Sequence, residues 1–230
     1  MSMKIMVITS NKYRCLLPGF AHQFNKYWSS NTQVDVVGDL PCNNALPDNF
    51  NFVHAGKDEG KKSWSNLMIS YMNTVSEEYT LVFFDDHFII GPIDLDVIDE
   101  ALEILDTNGY DKVWGGQTNG QYDVINNKFH LVTGYIRKSF TPSIWRTSVF
   151  KSLLIPGQDC HTSEKCWANL ISVIKGTSTC LIPTADVVRQ GELRGSDSPW
   201  DYNGWRTGDG FADVLDKELY LKYQNIWRFT

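Results

Sequence analysis

Two adjacent aspartates that follow an apolar run are the residues of this sequence best suited to chemistry. Asp85 and Asp86 come directly after "TLVFF" (80–84), and His87 follows them. A buried strand cannot keep unpaired carboxylates, because burial penalises the charged form unless a partner or a metal compensates it. Paired carboxylates at a strand end are natural ligands for a Mg²⁺ or Mn²⁺ ion that also bridges phosphate oxygens. A pair of helix-capping or salt-bridged aspartates is the structural alternative.

The elements that must position these aspartates alternate between strands and helices in the first half of the chain. Short apolar, β-branched runs predict strands over 4–10, 33–39, 50–56, 80–86 and 111–116. Helical spacing of apolar residues predicts helices over 13–28, 63–78 and 94–105. This order predicts an α/β fold with a doubly wound, mostly parallel central sheet flanked by helices.

The second half of the chain has a different pattern. The segments "YDVIN" and "FHLVTGYI" flank "NK" and predict a small antiparallel hairpin region. The spacing of apolar residues predicts helices over 144–154 and 162–176, followed by short strands within 179–192. Because no repeat or low-complexity linker interrupts the chain, we expect a single domain over 1–230, with functional halves at 1–116 and 117–230.

Composition and charge exclude several classes of protein. A net charge of −6 argues against an extended nucleic-acid footprint, which usually needs a basic face. The five cysteines are an odd number without repeated pair spacing, so a disulfide framework is not expected. Cys160, His161 and Cys166 lie close together, but no second pair completes a tetrahedral zinc site. The first apolar run is too short for a signal peptide and no run reaches membrane-span length, so a cytoplasmic location is expected.

Three polar loops follow predicted strands and are expected at one edge of the sheet. They are "TSNKYR" after the first strand, "AGKDEGKKSWSN" after the third and "DDHF" after the fourth. In open α/β sheets, ligands bind outside the carboxyl ends of the strands.

A nucleoside triphosphatase is one interpretation of this edge. The strand at 80–86 would then supply the magnesium-binding aspartate, and 55–63 would be the phosphate loop. A P-loop needs Gly, four residues and then Gly-Lys-Ser/Thr. Ala55 replaces the first glycine and Lys62 replaces the hydroxyl residue, so both chemically essential ends are missing.

Four segments in order resemble small GT-A-type glycosyltransferases of the nucleotide-diphospho-sugar transferase superfamily. The segment "NKYRCLLPGFAHQFNKYW" is similar to the first helix of that family, and "VDVVGD" to its second strand. "KKSWSNLMISYMNTVSEEYTLVFFDDHFI" is similar to its Trp-containing helix and acidic strand end. "TPSIWRTSVFKSLLIPGQDCHTSE" is similar to a stretch with an "IW" pair, a helix and an acidic residue. The resemblance spans most of residues 4–192 and implies a GT-A-like (Rossmann-like) fold.

The resemblance implies a set of donor-binding residues, with the nucleotide in the first half and the acceptor in the second. Residues of the first loop would lie under the nucleotide, residues of the third loop and the following helix near the sugar or diphosphate, and two late arginines on the diphosphate. In chain order these are Thr9, Ser10, Asn11, Arg14, Lys57, Trp64, Asn66, Asp85, Asp86, Arg189 and Arg194. Alternatives stay open for two of them: Arg14 is either a phosphate partner or a solvated residue, and Trp64 either touches the donor or packs on the sheet.

Asp85 and Asp86 correspond to the DxD-type motif of the family, with His87 in place of the last aspartate. The metal ligand implied is therefore Asp86 alone, or Asp86 with His87, whose imidazole suits Mn²⁺ better than Mg²⁺. The departure from DxD leaves strict metal dependence open.

The implied reaction transfers a sugar from a nucleotide-sugar donor to an acceptor hydroxyl, with inversion and with help from a divalent metal. The resemblance points to Glu164 as the base that takes the hydroxyl proton, with Asp159 as the nearby rival. Glu164 as a first-turn helix charge is the structural alternative.

The acceptor expected is a glycan or glycolipid, and a hydroxylated or hydroxymethylated base of viral DNA is the less favoured option. A sugar-nucleotide pyrophosphorylase is disfavoured because "TSNKYR" has no glycine. A non-catalytic nucleotide-sugar-binding protein is the remaining alternative.

Overall fold

A computed structural model of the chain describes most of its first 193 residues. The described residues are 1–11, 13–42, 45–114, 122–138, 140, 142–175, 181–186, 188–189 and 192–193.

Five α-helices and thirteen strands are found within these residues. The helices are α1 (Leu17–Tyr27), α2 (Trp64–Met72), α3 (Leu95–Asn108), α4 (Thr147–Leu153) and α5 (Cys160–Lys165). The strands are β1 (Met3–Ile8), β2 (Val34–Gly38), β3 (Phe50–His54), β4 (Tyr79–Phe84), β5 (His87–Ile89), β6 (Lys112–Trp114), β7 (Asp123–Val124), β8 (Phe129–Arg137), β9 (Ser143–Arg146), β10 (Trp167–Lys175), β11 (Thr184–Asp186), β12 (Val188–Arg189) and β13 (Glu192–Leu193).

One sheet of nine strands runs through the described part of the chain. Its order is β3-β2-β1-β4-β9-β6-β10-β8-β7. The pairs within β3-β2-β1-β4 are parallel, as is the pair of β6 with β10. In this sheet β8 and β9 alone run against the other strands, and β7 with β8 forms the predicted hairpin. The predicted fold class, a mostly parallel sheet flanked by helices with an antiparallel hairpin region, is confirmed.

Of the two helices predicted in the second half, the first is confirmed over 147–153, and the second is wrong over most of its length. Residues 144–146 belong to β9, and only the residues that follow form α4. Residues 167–175 form the long strand β10, which α5 precedes. Ile144 and Trp145 are both fully buried, so both faces of β9 are covered. A strand covered on both faces has a continuous apolar run, which spacing alone does not distinguish from a buried helix.

The helices cover both faces of the sheet. On one face α1 and α3 bury an apolar cluster in which the rings of Phe20 and Phe83 meet edge to face, 5.5 Å apart. On the other face α2 and α4 bury a second cluster, where Trp145 contacts the ring of Phe150 at 5.6 Å. Helix α3 is bounded by a side-chain cap, Asp94, and by Gly109 in the left-handed conformation.

The parallel strands bring the polar loops to one edge, as expected. The Thr9 backbone N–H donates to the Val37 carbonyl of β2, and the Asp85 N–H donates to the Ile8 carbonyl of β1. The residues that follow β1, β2 and β4 therefore begin side by side. Within the described residues, no helix has the length and apolar character needed to cross a membrane.

Candidate functional site

Asp85 lies buried between the ends of β1 and β4. The Thr9 hydroxyl donates to Oδ2 of Asp85 at 2.6 Å, and the Ser10 backbone N–H also donates to this carboxylate. Burial, and next the negative charge of Asp86, raise the pKa of Asp85 far above the ordinary range of an aspartate. Asp85 is thus held in place by the first loop, and its environment favours either a proton or a nearby cation.

Asp85 and Asp86 form the turn between β4 and β5. Asp86 is half-buried, and His87 begins β5, which pairs with β11. The His87 ring lies against the ring of Phe84, with 5.5 Å between centroids. Among the described residues no group of three or more His, Cys, Asp or Glu side chains is arranged to hold a metal.

These residues fit a divalent ion that takes the rest of its ligands from elsewhere. One buried carboxylate that resists ionisation stands directly before a half-buried one, so a cation beside them would relieve their mutual repulsion. Mg²⁺ characteristically binds through one or two carboxylates together with water and substrate phosphates. Asp86 fits the role of such a ligand, and His87 as a second ligand stays a prediction.

Asp39, at the end of β2, is a site residue that the sequence reasoning missed. Asn11 donates from Nδ2 to its Oδ2 at 3.1 Å, and the backbone N–H of Asp58 donates to the same carboxylate. These hydrogen bonds, with the charges of His54 and Lys57, lower the pKa of Asp39. Its position in the sequence could have identified it, because Asp39 directly follows a parallel strand next to β1, at the edge of the sheet where ligands bind in open α/β folds.

The predicted residues Asn11 and Lys57 therefore both lie beside Asp39. Lys57 is close enough for its charge to act on the Asp39 carboxylate. The Oδ1 atom of Asn11 is buried and accepts no hydrogen bond from any described residue. A buried acceptor without a partner is costly, so this atom is suited to receive an N–H or O–H from a ligand.

Ser10 and Arg14 shape the first loop. The Ser10 carbonyl accepts from the backbone N–H groups of Tyr13 and Arg14 at 3.0 and 2.9 Å, which starts the turn leading into α1. The guanidinium of Arg14 donates to the Pro41 carbonyl at 3.1 Å. Arg14 therefore fastens the loop after β2 to the loop after β1.

Trp64 and Asn66 begin α2, on the face of the sheet that also carries the α4 cluster. The Trp64 ring stacks on Phe140 at 5.6 Å, and its buried Nε1 donates to no described residue. Oδ1 of Asn66 accepts from the Gly157 N–H at 3.1 Å. Its neighbour Ser65 accepts from the Gln158 N–H at 2.9 Å. The first turn of α2 thus holds the loop that leads into α5.

Glu164 lies on α5 with one carboxylate oxygen already fixed. Oε1 accepts from the backbone N–H of Phe140 at 3.0 Å, and no described residue hydrogen-bonds to Oε2. A carboxylate oriented through one oxygen can receive a proton on the other.

Asp159 is the cap of α5. Its Oδ1 accepts from the Thr162 N–H at 2.7 Å, and its Oδ2 accepts from the Thr162 hydroxyl at 2.8 Å. The hydrogen bond from the Thr162 backbone is the main reason that the pKa of Asp159 is lowered. Both oxygens serve the helix end, so the geometry favours Glu164 over Asp159 as the base.

Cys160 marks the point where the two halves of the site meet. Burial raises the pKa of the Cys160 thiol, and four nearby carboxylates raise it further. In order of their effect these are Glu164, Asp86, Asp159 and Asp85. The predicted base and the aspartate pair of β4, although far apart in sequence, are therefore both near enough to Cys160 for their charges to act on its thiol.

Two predicted residues cannot be placed with their side chains. Arg189 is in β12, for which the structure describes the backbone alone, and Arg194 lies outside the described residues.

Lys112, a second residue that the sequence reasoning missed, is buried close to Glu164. It is 1 % exposed, in the middle of the sheet. Burial lowers its pKa to about 7, and the charge of Glu164 acts in the opposite direction. A single lysine within the strand pattern "DKVWGG" gave no signal of this environment.

Comparison with protein-family models and with curated proteins found no match. Among solved structures, S. aureus TarS 1–349 in complex with UDP-GlcNAc is similar, with a TM-score of 0.51 and 17 % identity over 88 % of this chain and 63 % of that chain. The chain thus spans less than two thirds of the length of that TarS structure. This likeness shows the class of fold: an α/β fold with a large, mostly parallel sheet flanked by helices, like that of the TarS structure.

Two other structures resemble the chain more weakly. Mannose-1-phosphate geranyltransferase from Thermus thermophilus has a TM-score of 0.48 and 11 % identity, over 81 % of this chain and 76 % of that one. A cytidylyltransferase from Leptospira borgpetersenii has a TM-score of 0.46 and 10 % identity, over 100 % of this chain and 98 % of that one.

Proposed function

We propose that this protein is a glycosyltransferase that moves a sugar from a nucleoside-diphosphate sugar to an acceptor hydroxyl with inversion. The observation that carries the proposal is that Asp85 and Asp86, at the carboxyl end of the parallel strand β4, and Glu164 on α5 are all close enough to Cys160 for their charges to raise the pKa of its thiol. The likeness in fold to TarS, solved in complex with UDP-GlcNAc, supports the same proposal.

The donor nucleotide is assigned to the ends of β1 and β2. Asp39 offers a carboxylate and Asn11 a buried carbonyl oxygen, and together they can receive the N–H and O–H groups of a nucleoside. Lys57 lies next to them as a positive charge for phosphate. The paired aspartates at the end of the neighbouring strand β4 then face the diphosphate.

The chemical step on this proposal is a single displacement. The acceptor oxygen attacks the anomeric carbon, the bond from that carbon to the diphosphate oxygen breaks, and the nucleoside diphosphate leaves with the electron pair. The proton of the acceptor hydroxyl passes to Oε2 of Glu164 while Oε1 stays bonded to Phe140 N–H. General-base assistance of this kind contributes about 10²- to 10⁴-fold in rate.

Asp86, alone or with His87, would hold a Mn²⁺ or Mg²⁺ ion at this site. When bound, the ion supplies positive charge that stabilises the departing diphosphate.

The test of the donor class uses thermal shift and product release. The protein is heated with ATP and with UDP-, GDP-, CDP- and dTDP-sugars, each with and without Mn²⁺. Release of nucleoside diphosphate is then measured for every nucleotide sugar that stabilises the protein. We expect at least one nucleotide sugar to raise the Tm, because a ligand that binds only the folded state stabilises it. Stabilisation by ATP and by no nucleotide sugar would overturn the proposal.

The acceptor is tested once a donor is known. A glycan or glycolipid hydroxyl is the expected acceptor, and duplex DNA with hydroxymethylated bases is the competing one. Sugar transfer to that DNA, together with binding that weakens steeply as salt increases, would move the assignment to the DNA class.

A further inference from the structure

Six residues that pair in register form one row across the second half of the nine-stranded sheet. Directly paired residues point to the same face of a sheet. Val82 belongs to the apolar cluster that α2 and α4 bury, so the row lies on that face. In sheet order the row consists of Val82 of β4, Ser143 of β9, Trp114 of β6, Ile174 of β10, His130 of β8 and Val124 of β7.

Three side chains of this row have buried polar atoms without a hydrogen-bond partner. They are the hydroxyl oxygen of Ser143, Nε1 of Trp114 and Nδ1 of His130, and no residue in the described part of the chain bonds to any of them. A buried polar atom without a partner is costly, and native proteins leave few of them. Three such atoms in one row of a sheet indicate a polar ligand that completes their hydrogen bonds.

The row becomes more open from the middle of the sheet towards its edge. Ser143 is fully buried, Trp114 and His130 are half-buried, and Tyr122, directly before β7, is 40 % exposed. The Tyr122 ring meets the His130 ring edge to face, with 4.6 Å between centroids. Three strand-to-strand steps separate Ser143 from His130, which corresponds to about 14 Å. This span is longer than a monosaccharide, and no single ion or water molecule bridges it.

The side chains of the row fit a neutral carbohydrate. A serine hydroxyl and an imidazole nitrogen donate to or accept from hydroxyl groups, and an indole N–H donates to them. The rings of Trp114 and Tyr122 add flat apolar surface beside these polar atoms. A DNA acceptor would need cationic side chains for its phosphates, and the six residues of the row include no lysine or arginine.

Lys112 occupies the next row on the same face and is not placed to bind a phosphate. It is 1 % exposed, and its Nζ donates to the carbonyl of Lys138. The same Nζ lies 4.3 Å from the ring centroid of Trp145 and 5.0 Å from that of Trp114. Lys112 therefore supports the Trp114 ring from below, because aromatic faces attract a cation.

The buried end of the row lies beside the candidate site. Val82 is two residues from the end of β4, which the aspartate pair follows. Ser143 is two residues before Trp145, whose ring contacts that of Phe140 at 6.2 Å. The Phe140 N–H donates to Oε1 of Glu164 at 3.0 Å. A ligand bound along the row therefore has one end near the aspartate pair and near the proposed base.

We propose that this row is the acceptor site and that it binds a neutral oligosaccharide. The sugar that carries the attacking hydroxyl lies at the Ser143 end, and the rest of the glycan extends past His130 and leaves the protein over Tyr122. This inference rests on the proposed function, which it deepens by naming the class of acceptor and the residues that bind it.

The binding test needs neither donor nor turnover. A glycan array of neutral oligosaccharides identifies the glycan that the protein binds, and isothermal titration calorimetry then gives its Kd. Trp114→Phe keeps an aromatic ring and removes the N–H, so we expect the Kd to rise about five- to tenfold, as for the loss of one hydrogen bond. The matched control is Trp28→Phe, whose ring stacks on Phe24 at 5.4 Å on the opposite face of the sheet. It should leave the Kd unchanged.

Tyr122→Ala tests the open end of the row and does not depend on the folding of Trp114→Phe. It removes an exposed ring at the edge of the sheet, and we expect the Kd to rise about fivefold because the glycan loses an aromatic contact. With a donor and the same glycan, both variants should raise the acceptor KM by similar factors and leave the donor KM unchanged.

The outcomes separate this inference from the proposed function. Binding of no neutral glycan, or a Kd that neither variant changes, overturns the acceptor site, as does binding of duplex DNA with hydroxymethylated bases in place of glycans. Sugar transfer with an acceptor KM that neither variant changes supports the proposed function and overturns this site. Glycan binding that both variants weaken, in a protein that uses no nucleotide sugar, supports the carbohydrate site and overturns the proposed function.

Discussion

The hydrogen bond from Thr9 to Asp85 is a short contact of the candidate site, at 2.6 Å, and both residues are buried. Replacing Thr9 by valine keeps the shape and removes the donor from a buried carboxyl group. We expect the free energy of unfolding to fall by about 1–3 kcal/mol, since a buried polar group without its partner bears the full cost of desolvation. Denaturant unfolding measures this change.

Thr9→Ser is the control for this substitution, because serine keeps the hydroxyl. It should retain most of the stability that Thr9→Val loses. Equal unfolding midpoints for the valine variant and the wild type would show that the Thr9 hydroxyl contributes nothing to holding Asp85.

The hydrogen bonds that the carboxylate oxygens already accept distinguish Glu164 from Asp159 as the candidate base. Glu164→Gln should lower kcat by about 10²-fold or more, because the amide cannot take the proton while Phe140 N–H can still bind its oxygen. Asp159→Asn should leave kcat within a few-fold, because asparagine also caps helices well. Steady-state kinetics with one donor and one acceptor compares them, and the reverse order of effects would make Asp159 the base.

At the residue scale, the sequence revealed groups whose types are unusual for their place. Asp85 and Asp86 stood out because carboxylates do not belong at the end of an apolar run, and Glu164 stood out through a family resemblance. Lys112 gave no such signal, because it is a single charge within an ordinary strand pattern, and Asp39 was marked only by its position after the second predicted strand. Their roles arise from neighbours that only the folded sheet brings together.

The first turn of helix α2 holds the loop before α5 through hydrogen bonds. Ser65 is fully buried, accepts from the Gln158 N–H and donates its own N–H to the Gln158 carbonyl. Ser65→Ala leaves the Gln158 N–H without this acceptor, so we expect a loss of about 1–2 kcal/mol in the free energy of unfolding.

The control for this element is Ser152→Ala on α4, where the exposed hydroxyl donates to the Val149 carbonyl within one helix turn. This variant should change stability by less than about 0.5 kcal/mol. Similar losses of unfolding free energy in the two serine variants would mean that the contact between α2 and the loop stabilises the fold no more than a hydrogen bond within one helix turn.

How well the sequence predicts a strand or a helix depends on which of its faces are buried. Strands β1 to β4 and helices α1 to α3 follow from apolar runs and periodicity that matched the structure. Strands β9 and β10 were assigned to helices because their apolar residues also fit helical spacing, and their pairing partners are distant in sequence. Local pattern therefore identified β1 to β4, β6 and the β7–β8 hairpin, and misassigned β9 and β10.

For the whole molecule, Lys112 links stability to pH. Burial lowers its pKa to about 7 from an ordinary value of 10.5, so between these values the unfolded chain binds more protons than the folded one. Stability therefore rises with pH in this window, and below about pH 7 the cost of the buried ammonium is constant.

The measurement compares wild type with Lys112→Met by denaturant unfolding from pH 6 to pH 10, so that all other titrating groups cancel. The difference in the free energy of unfolding should change in favour of the wild type above pH 7, with a slope approaching about 1.4 kcal/mol per pH unit. Parallel profiles for the two proteins would contradict the low pKa of this amine.

The central position of β9 also sets the order in which this sheet can be completed. Strands β4 and β6 are separated in the sheet by β9, whose residues 143–146 come later in the chain than both. During synthesis, the facing edges of β4 and β6 therefore stay unpaired until residue 146 has left the ribosome. Unpaired edges invite pairing with other chains, and strands that are distant in sequence pair slowly. The same holds for β6 and β8, which wait for β10 at 167–175, so the two strands that join the parts of this sheet are the last two of it to be made.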